Sequence, residues 1–316
     1  MEDTLFFSDK ENINEEAILS EEITPKVWKG IYSIYLSYVA NGYFSKDFPL
    51  QCQDGNGIYG TDRSSLEDAA KALIPLLPDY INENYAPKTI NPFEDEERSN
   101  TEESITEEYK LSILDFIEFL FIHICDIKKG HYHEFFNHYE LLFPITSVNK
   151  ENFIKEINLI FRRNLLAFRL NNNGSIIRIL PQSIVSTIET RDCTQDKILN
   201  DLIIEAENKI QNPNIQERKI GLDRLWDAFE RFKTIFGTED TSKKECANKL
   251  LKKIADGNDI LYSSLEEECK KLTALGNNLQ IRHYEKGKLE INNSYHIDYL
   301  FFRLYALICL FIKMYK

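Results

Sequence analysis

Apolar side chains recur at intervals of three and four residues over most of the chain, which is the spacing of amphipathic α-helices. The first predicted helix covers about residues 25–43, where Thr24 can cap the helix and Pro25 suits its first turn. The same spacing predicts helices at about 65–77, 107–129, 149–166, 196–211, 216–236, 243–255, 264–275 and 295–315, and a short one after Pro181. The fold class is therefore expected to be mainly α.

Two stripes of large apolar residues indicate helices that should lie in a core. One comprises Ile113, Phe116, Ile117, Leu120 and Ile124, and the other comprises Leu222, Leu225, Trp226, Phe229, Phe232 and Phe236. The last helix carries the run YLFFRLYALICLFIKM, which Arg303 interrupts and which is too short to cross a bilayer. We expect this helix to be buried in a bundle, and we expect no membrane association.

One segment departs from the helical pattern. The sequence FRLNNNGSIIRIL, residues 168–180, has two short apolar runs around an Asn-Asn-Asn-Gly turn and predicts a β-hairpin. Helices followed by one hairpin suggest a winged-helix-like module in an N-terminal domain of residues 25–192, with a C-terminal helical bundle at 193–316. Four arginines that form either a modest basic patch or scattered surface charge lie on or beside the hairpin: Arg162, Arg163, Arg169 and Arg178.

Charge is unevenly distributed along the 316 residues, whose formal net charge is −13. Residues 1–22 and 94–108 each contain eight acidic residues against one basic residue, whereas residues 200–316 contain 19 basic and 18 acidic residues. We interpret residues 1–24 as an acidic leader without signal-peptide features, and 94–108 as an acidic linker that is mobile or regulatory. The C-terminal part is close to neutral, so a polyanionic partner is compatible with it.

Metal and cofactor chemistry has weak support in the sequence. The six cysteines form no CxxC pair, which argues against a zinc site and a disulfide framework and favours a reducing cytoplasm. His131, His133 and His138 suggest a metal, but an HxH without a nearby Cys or paired Asp is a poor ligand set, so a partly exposed aromatic turn is preferred. The glycine-rich residues 54–63 lack the Lys-Ser/Thr ending of a P-loop and are interpreted as a connector. We expect neither a metal nor a cofactor.

The stretch with the most chemistry is LGNNLQIRHYEKGKLEINNSYHIDYLFFR, residues 275–303. Its glycines and asparagines predict a polar loop before the last helix, so Arg282 and His283 should lie at the surface or in a cleft. Taken alone, the Arg-His dipeptide is weak evidence for a catalytic site, because Arg282 can pair with Glu285 or Glu290 while His283 forms hydrogen bonds with loop carbonyls.

Three strings around these residues resemble the HEPN superfamily, a group of helical bundles common in prokaryotic toxins and antiviral effectors. They are LDRLWDAFERFKT at 222–234, LTALGNNLQIRH at 272–283 and HIDYLFFRLYALI at 296–308. The specific resemblance is to abortive-infection proteins of the AbiJ type, and residues 26–188 are similar to the helical N-terminal domains of those proteins. The two resemblances together cover most of the chain apart from the leader and the acidic linker.

The resemblance implies an antiviral effector that is a metal-independent endoribonuclease. HEPN nucleases carry an Arg, then four to six arbitrary residues, then a His, whereas Arg282 here is adjacent to His283 and Asn278 stands five residues before the His. A His can transfer protons at the 2′-hydroxyl or the leaving 5′ oxygen, typically for a factor of about 10² to 10⁴ in rate. A guanidinium can bind two oxygens of the phosphorane. HEPN nucleases are thought to complete their active site as dimers, so a homodimer through the C-terminal domain is expected.

The candidate catalytic residues are therefore Arg282, His283 and Asn278, with supporting roles for Asp227, Glu230 and His296. Asp227 and Glu230 belong to a helical stripe of acids that is either simply solvated or faces the Arg-His loop. The expected partners are RNA and a partner defence protein or antitoxin. Two alternatives are a non-catalytic HEPN module that binds RNA or a protein, and a DNA-binding regulator that uses the hairpin as a wing.

Overall fold

A computed structural model describes residues 19–55, 57–74, 77, 81–82, 99–235, 242–279, 281 and 289–315, with the backbone alone for 99–108 and 315. The prediction of a mainly α fold is confirmed, since the described residues form ten helices, 61% of the structure is helical, and the strands form only two-stranded antiparallel sheets. Among the described residues, no helix has both the length and the apolar composition needed to cross a membrane. The chain divides into two compact units, residues 1–178 and 179–316.

The described part of the first unit consists of helices and three hairpins. Its helices are α1 (Pro25–Ala40), α2 (Arg63–Leu73), α3 (Ser99–His123) and α4 (Val148–Arg163). Its strands pair in sequence order: β1 (Pro49–Gln51) with β2 (Ile58–Thr61), β3 (Lys128–His133) with β4 (His138–Leu142), and β5 (Phe168–Leu170) with β6 (Ile176–Arg178).

Aromatic residues of α1 and α3 form the centre of the first unit. As predicted, Thr24 caps α1 through its side chain and Pro25 occupies the first turn. The rings of Trp28 and Tyr35 on α1 contact the ring of Phe116 on α3, at centroid distances of 6.0 and 5.4 Å. The predicted stripe on α3 is buried at all of its positions, Ile113, Phe116, Ile117, Leu120 and Ile124. Burial of aromatic rings of this size contributes strongly to the stability of this unit.

Two of the three hairpins were not expected from the sequence pattern. The predicted hairpin at 168–180 is confirmed as β5–β6, but β2 lies inside the glycine-rich segment 54–63, which is therefore not a simple connector. The three histidines at 131–138 lie on β3 and β4, and the turn between these strands carries Phe135, which is exposed, and Phe136, so the predicted aromatic turn is the turn of a hairpin. A bulge between Lys129 and Tyr132 interrupts the register of β3, and strands this short give little period-two signal.

The β5–β6 hairpin is docked on α3 and α4 by side chain to backbone hydrogen bonds. Asn158 on α4 donates through Nδ2 to the Leu170 carbonyl at 2.9 Å and accepts from the Leu170 amide through Oδ1 at 2.8 Å. Glu118 on α3 accepts from the Ile176 amide at 2.5 Å. The hairpin is thus held along its length by both helices.

Arg178 does not contribute to a basic surface. Its side chain is buried, and its Nε lies 2.7 Å from Oε1 of Glu21. A buried guanidinium that is paired with a carboxylate cannot contact a nucleic-acid phosphate. The suggested patch of four surface arginines therefore loses one member, which weakens the DNA-binding alternative.

The acidic segment at 94–108 is partly helical. Helix α3 begins at Ser99 rather than at about residue 107, so residues 99–108 do not form a linker. Glu is a good helix former, so the acidic composition that suggested a linker is also compatible with a helix. Residues 94–98 lie outside the described residues.

Asp126 fixes the start of α4 from outside that helix. Its carboxylate accepts hydrogen bonds from the Thr146 hydroxyl, from the Val148 amide at 2.9 Å and from the Asn149 amide at 2.7 Å. Burial alone would raise the pKa of Asp126, but the hydrogen bonds, first that from Thr146, lower it. Ser147, at the capping position, makes no capping bond through its side chain, so Asp126 performs this role.

The second unit is a helical bundle. It contains α5 (Gln182–Glu189), α6 (Lys197–Ile210), α7 (Ile215–Phe232), α8 (Lys243–Ala255), α9 (Asp259–Asn278) and α10 (Ser294–Tyr315). Helix α7 packs against α6 and α10, and α8 packs against α9 and α10. The predicted stripe on α7 is buried at Leu222, Leu225, Trp226, Phe229 and Phe232, and Phe236 lies outside the described residues. Helix α10 is a buried bundle helix, as predicted.

Among the described residues of this bundle two charged side chains are buried, Glu207 on α6 and Arg218 on α7. The carboxylate of Glu207 on α6 accepts from Nε of Arg191 at 2.5 Å, from Nη2 of Arg191 at 3.3 Å and from the Tyr305 hydroxyl on α10 at 2.6 Å. Burial, and then the carboxylate of Glu207, raise the pKa of Tyr305, so its hydroxyl remains protonated and donates. A hydrogen-bonded polar network therefore joins three parts of this unit, namely the segment that follows α5, helix α6 and helix α10.

Gly174, at the turn of the β5–β6 hairpin, should not tolerate a side chain. Its φ is +87°, and a Cβ would overlap the Phe121 ring. Gly174→Ala should lower the free energy of unfolding by about 1–2 kcal/mol for the backbone conformation and about 1–3 kcal/mol for the overlap. Gly55→Ala is the matched control, because its φ is +75° and no heavy atom lies within 4 Å of the added Cβ. Urea unfolding that gives equal losses for both variants would contradict this packing.

The contribution of Asp126 should depend on pH. Asp126→Asn should lower the free energy of unfolding by about 1–3 kcal/mol at neutral pH. The side-chain NH₂ of the new asparagine would face the hydroxyl and backbone amides that donate to Asp126 in the wild type. Because the pKa is lowered in the folded state, the stabilisation is complete above the ordinary pKa of about 3.9 and is lost as pH falls through the lowered value. The difference between wild type and variant should therefore shrink only below about pH 4. Asp68→Asn, on an exposed side chain, should change little at any pH.

Candidate functional site

The two residues with the strongest catalytic prediction, Arg282 and His283, lie outside the described residues. The structure describes both flanks of their segment, namely α9 as far as Leu279 together with Ile281 on one side, and residues 289–293 leading into α10 on the other. The site can therefore be built from the side chains that position these flanks.

Helix α9 extends further toward Arg282 and His283 along the chain than predicted. It continues to Asn278, so Gly276 and Asn277 are helical and the prediction of a loop from Gly276 is wrong. The reason is tertiary, because Gly276 packs directly on the Trp226 indole of α7, where a Cβ would overlap the ring. The glycine is therefore needed for close approach rather than for a turn. Asn278, a candidate catalytic residue, is exposed at the last position of α9.

A buried arginine on α7 fixes the other flank. Arg218 is 1% exposed, and its Nη1 donates to the Ser294 hydroxyl at 2.9 Å and lies 3.9 Å from Oδ1 of Asp298. Both partners belong to the first turns of α10. The guanidinium thus ties α7 to the start of the helix that follows the segment containing Arg282 and His283.

A second cation on α7 holds the chain just before α10. Nζ of Lys219 lies 2.7 Å from Oε1 of Glu290 and 2.6 Å from Oδ1 of Asn292. Asn293 then accepts from the Tyr295 amide at 2.9 Å and caps α10. The hydrogen bond and charge of Lys219 lower the pKa of Glu290, so this ion pair persists to a lower pH than the free carboxyl would allow.

The three residues predicted to support catalysis lie on two different helices, Asp227 and Glu230 on α7 and His296 on α10. Asp227 and Glu230 are half-buried on α7 and interact with cations of the same helix region, Asp227 with Arg224 at 3.2 Å and Glu230 with Lys233. Lys233 also donates to Thr273 on α9 at 3.2 Å. These acids therefore stabilise the surface of α7 and its packing on α9. His296 is exposed on the first turn of α10, close in sequence to the Arg218 partners.

Arg303 joins α10 to α9 with a two-pronged contact. Its Nε and Nη2 lie 2.8 Å from Oε1 and Oε2 of Glu268. The hydrogen bond from Arg303 lowers the pKa of Glu268 and outweighs the effect of burial. Parallel bonds of this type fix orientation as well as distance, so this contact aligns α9 with α10.

A second group of reactive side chains lies in the first unit, where the histidines at 131–138 suggest a metal but the sequence does not indicate Cys52 as their partner. The side chains of Cys52, His133 and His138 converge, with one ligand atom from each within 4.8 Å of the others. Cys52 stands 81 residues before His133, so no local spacing could reveal the pair. Burial raises the pKa of the Cys52 thiol, with a further contribution from Asp54. This is the set of described residues that could hold a metal ion.

Comparison with known proteins assigns the first part of the chain to a protein family. A family model described as AbiJ N-terminal domain 4 matches residues 5–192, which include helices α1 to α5 and all six described strands. No curated protein and no solved structure matches the chain. An AbiJ-type domain indicates a role in abortive infection, the bacterial defence in which an infected cell stops supporting its virus.

The two neighbouring cations of α7 should differ strongly in their effect on stability. Arg218→Ala should lower the free energy of unfolding by about 3–5 kcal/mol, because it leaves Asp298 without its buried partner. Lys219→Ala is the matched control and should cost only about 0–1 kcal/mol, since its partner Glu290 is 56% exposed. Urea denaturation of the full chain measures both. A loss below about 1 kcal/mol for Arg218→Ala would show that the start of α10 is not anchored by this residue.

Proposed function

This chain belongs to the AbiJ N-terminal domain 4 family, and we propose that it is an abortive-infection effector whose second unit is a HEPN-type, metal-independent endoribonuclease. In this proposal the RNA-cleaving residues are Arg282 and His283, in the segment between α9 and α10. The first unit receives the signal of infection or restrains the nuclease, either alone or with a partner defence protein or antitoxin.

The observation that supports this site is the firm attachment of both flanks to α7. Gly276 packs on Trp226 before the segment, and Arg218 binds Ser294 and Asp298 after it. Catalytic groups need a geometry that their scaffold holds to within a fraction of an ångström. The attachment of both flanks to one helix supports a site in the polar segment between them.

The chemistry follows from the two side chains. His283 removes the proton of the 2′-hydroxyl or delivers one to the leaving 5′ oxygen, and Arg282 binds two oxygens of the negatively charged phosphorane. Asn278, on the last turn of α9, supplies a polar contact to the phosphate or the ribose. A single Arg-His pair provides only part of this machinery, so we propose that a second copy of the chain completes it through a homodimer of the second unit.

A binding function is the second candidate. HEPN nucleases separate their Arg from their His by four to six residues, whereas Arg282 and His283 are adjacent. That departure favours a module that binds RNA or a partner protein without cleaving, with Arg282 as a phosphate contact. In that case Arg282→Ala should weaken RNA binding and reduce its salt dependence, and no variant should alter RNA integrity.

Substitution of the two central residues separates the candidates. His283→Ala should abolish cleavage of purified RNA in the presence of EDTA, and Arg282→Lys should be nearly as damaging, because an ammonium cannot reproduce the two-pronged phosphate contact. Cleavage products from the wild type should carry 2′,3′-cyclic phosphate ends, since the nucleophile is the substrate's own hydroxyl. Gel analysis of labelled RNA, with end-group mapping, provides the measurement.

Matched substitutions in the first unit control for general damage. His131→Ala and Arg162→Lys change the same residue types at exposed positions and should leave cleavage unchanged. Sedimentation should detect a dimer for the wild type and for His283→Ala. A His283→Ala protein that cuts RNA at the wild-type rate, or an active strict monomer, would overturn the proposed site or the proposed dimer respectively.

A further inference from the structure

Two hairpins of the first unit bring a thiol and two imidazoles together. Cys52 directly follows β1, while His133 and His138 are paired directly opposite each other across β3 and β4, beside the turn. Sγ of Cys52 lies 3.7 Å from Nδ1 of His133, and the His133 and His138 rings have centroids 5.2 Å apart. Cross-strand neighbours have Cβ atoms about 5 Å apart, so the hairpin itself presents the imidazoles as a pair.

The fold holds these hairpins close to each other. Strand β2 packs against β4, and a Cβ on Gly57 would lie 2.9 Å from Cγ of Glu140 on β4. The turn that carries Cys52 is closed by a bond from the Cys52 amide to the Gly57 carbonyl at 3.0 Å. On the other side, Tyr59 of β2 stacks on the His138 ring with centroids 4.4 Å apart. The three donors therefore belong to one packed arrangement.

We propose that Cys52, His133 and His138 bind a Zn²⁺ ion that joins the β1–β2 hairpin to the β3–β4 hairpin. Tetrahedral zinc with bonds of about 2.3 Å to sulfur and about 2.0 Å to nitrogen places ligand atoms about 3.5 Å apart. The 3.7 Å between Sγ of Cys52 and Nδ1 of His133 is close to that separation. The ligand atom of His138 lies within 4.8 Å of the other two, and side-chain rotation can shorten these distances to the separation that zinc requires. One thiolate and two imidazoles are ligands that zinc prefers. Cys52 releases its thiol proton to solvent when the metal binds.

Asp54 is placed to occupy or support the fourth position. Its Oδ2 lies 3.8 Å from Nδ1 of His133, and its side chain is 35% exposed, which provides a path for the ion from solvent. A carboxylate oxygen is also an accepted zinc ligand, and it compensates part of the charge of the metal. His131 is two residues from His133, but its side chain is exposed and it is not among the converging ligand atoms. It provides a matched control histidine on the same strand.

A metal would also meet a structural need of this region. A two-stranded hairpin has little stability on its own, and large apolar residues of β3–β4 remain on the surface. Phe135 is 91% exposed at the turn, and Tyr132, Tyr139 and Leu142 are exposed on the strands. With so little buried apolar area, a metal tie would supply stability that packing does not.

Cobalt titration of the full-length protein tests the site. Protein stripped with a chelator and returned to metal-free buffer should bind one Co²⁺ per chain at this site, with the visible bands of tetrahedral cobalt and a thiolate-to-cobalt charge-transfer band. Cys52→Ser should lose the charge-transfer band, and His133→Ala and His138→Ala should lose the tetrahedral spectrum. Asp54→Asn should weaken binding about 10- to 100-fold. Circular dichroism confirms that each variant retains its helices.

The controls are His131→Ala and Cys193→Ser, both at exposed positions outside the cluster, which should bind Co²⁺ as the wild type does. Zn²⁺ should displace Co²⁺ and raise the melting temperature of the wild type but not of Cys52→Ser. The proposal is overturned if the wild type shows no tetrahedral cobalt spectrum, or if Cys52→Ser keeps the charge-transfer band. RNA cleavage by Cys52→Ser should persist, so this result and the nuclease result can be judged separately.

Discussion

The arrangement of the second unit depends on how helix α7 holds its neighbours. Its apolar stripe is buried against the bundle, its Trp226 indole accepts α9 only because residue 276 is a glycine, and its Arg218 is buried against the first turns of α10. These contacts lie on opposite flanks of the segment that contains Arg282 and His283. Removal of a buried partner costs several kcal/mol, a large fraction of the stability of a domain. The described residues on both sides of this segment are therefore attached to one helix, α7.

The two units offer different chemistry. The second unit combines a polar segment with a helical bundle, and the RNA cleavage proposed there uses imidazole and guanidinium groups and no metal. The first unit, which carries the AbiJ-type domain, has an aromatic core and three small hairpins, two of which meet at Cys52, His133 and His138. A zinc tie in this unit would be structural, so chelators could weaken the protein without taking part in the cleavage reaction. That distinction matters for interpreting any metal dependence.

Sequence patterns predicted the helices well and the tertiary features poorly. The stripes on α3 and α7 are spaced for burial and are buried, because helical periodicity is a local property. The end of α9 was predicted too early, since a glycine that normally ends a helix is here required by the Trp226 ring. The strands of the β1–β2 and β3–β4 hairpins are too short for a clear alternation of apolar and polar residues. The acidic composition of residues 99–108 predicts a linker where the first turns of α3 lie.

The Cys52 cluster shows a further limit, because its members come from separate hairpins and are brought together only by the packing of β2 on β4. The central claim, that this bundle cleaves RNA with the substrate's own 2′-hydroxyl as nucleophile, is tested most directly with a modified substrate. An RNA with one preferred cleavage site would be compared, in the presence of EDTA, with the same RNA carrying a single 2′-deoxy nucleotide immediately 5′ of that bond. The account predicts cleavage of the RNA and an intact bond at the deoxy position. Equal cleavage of both substrates at that bond would contradict it.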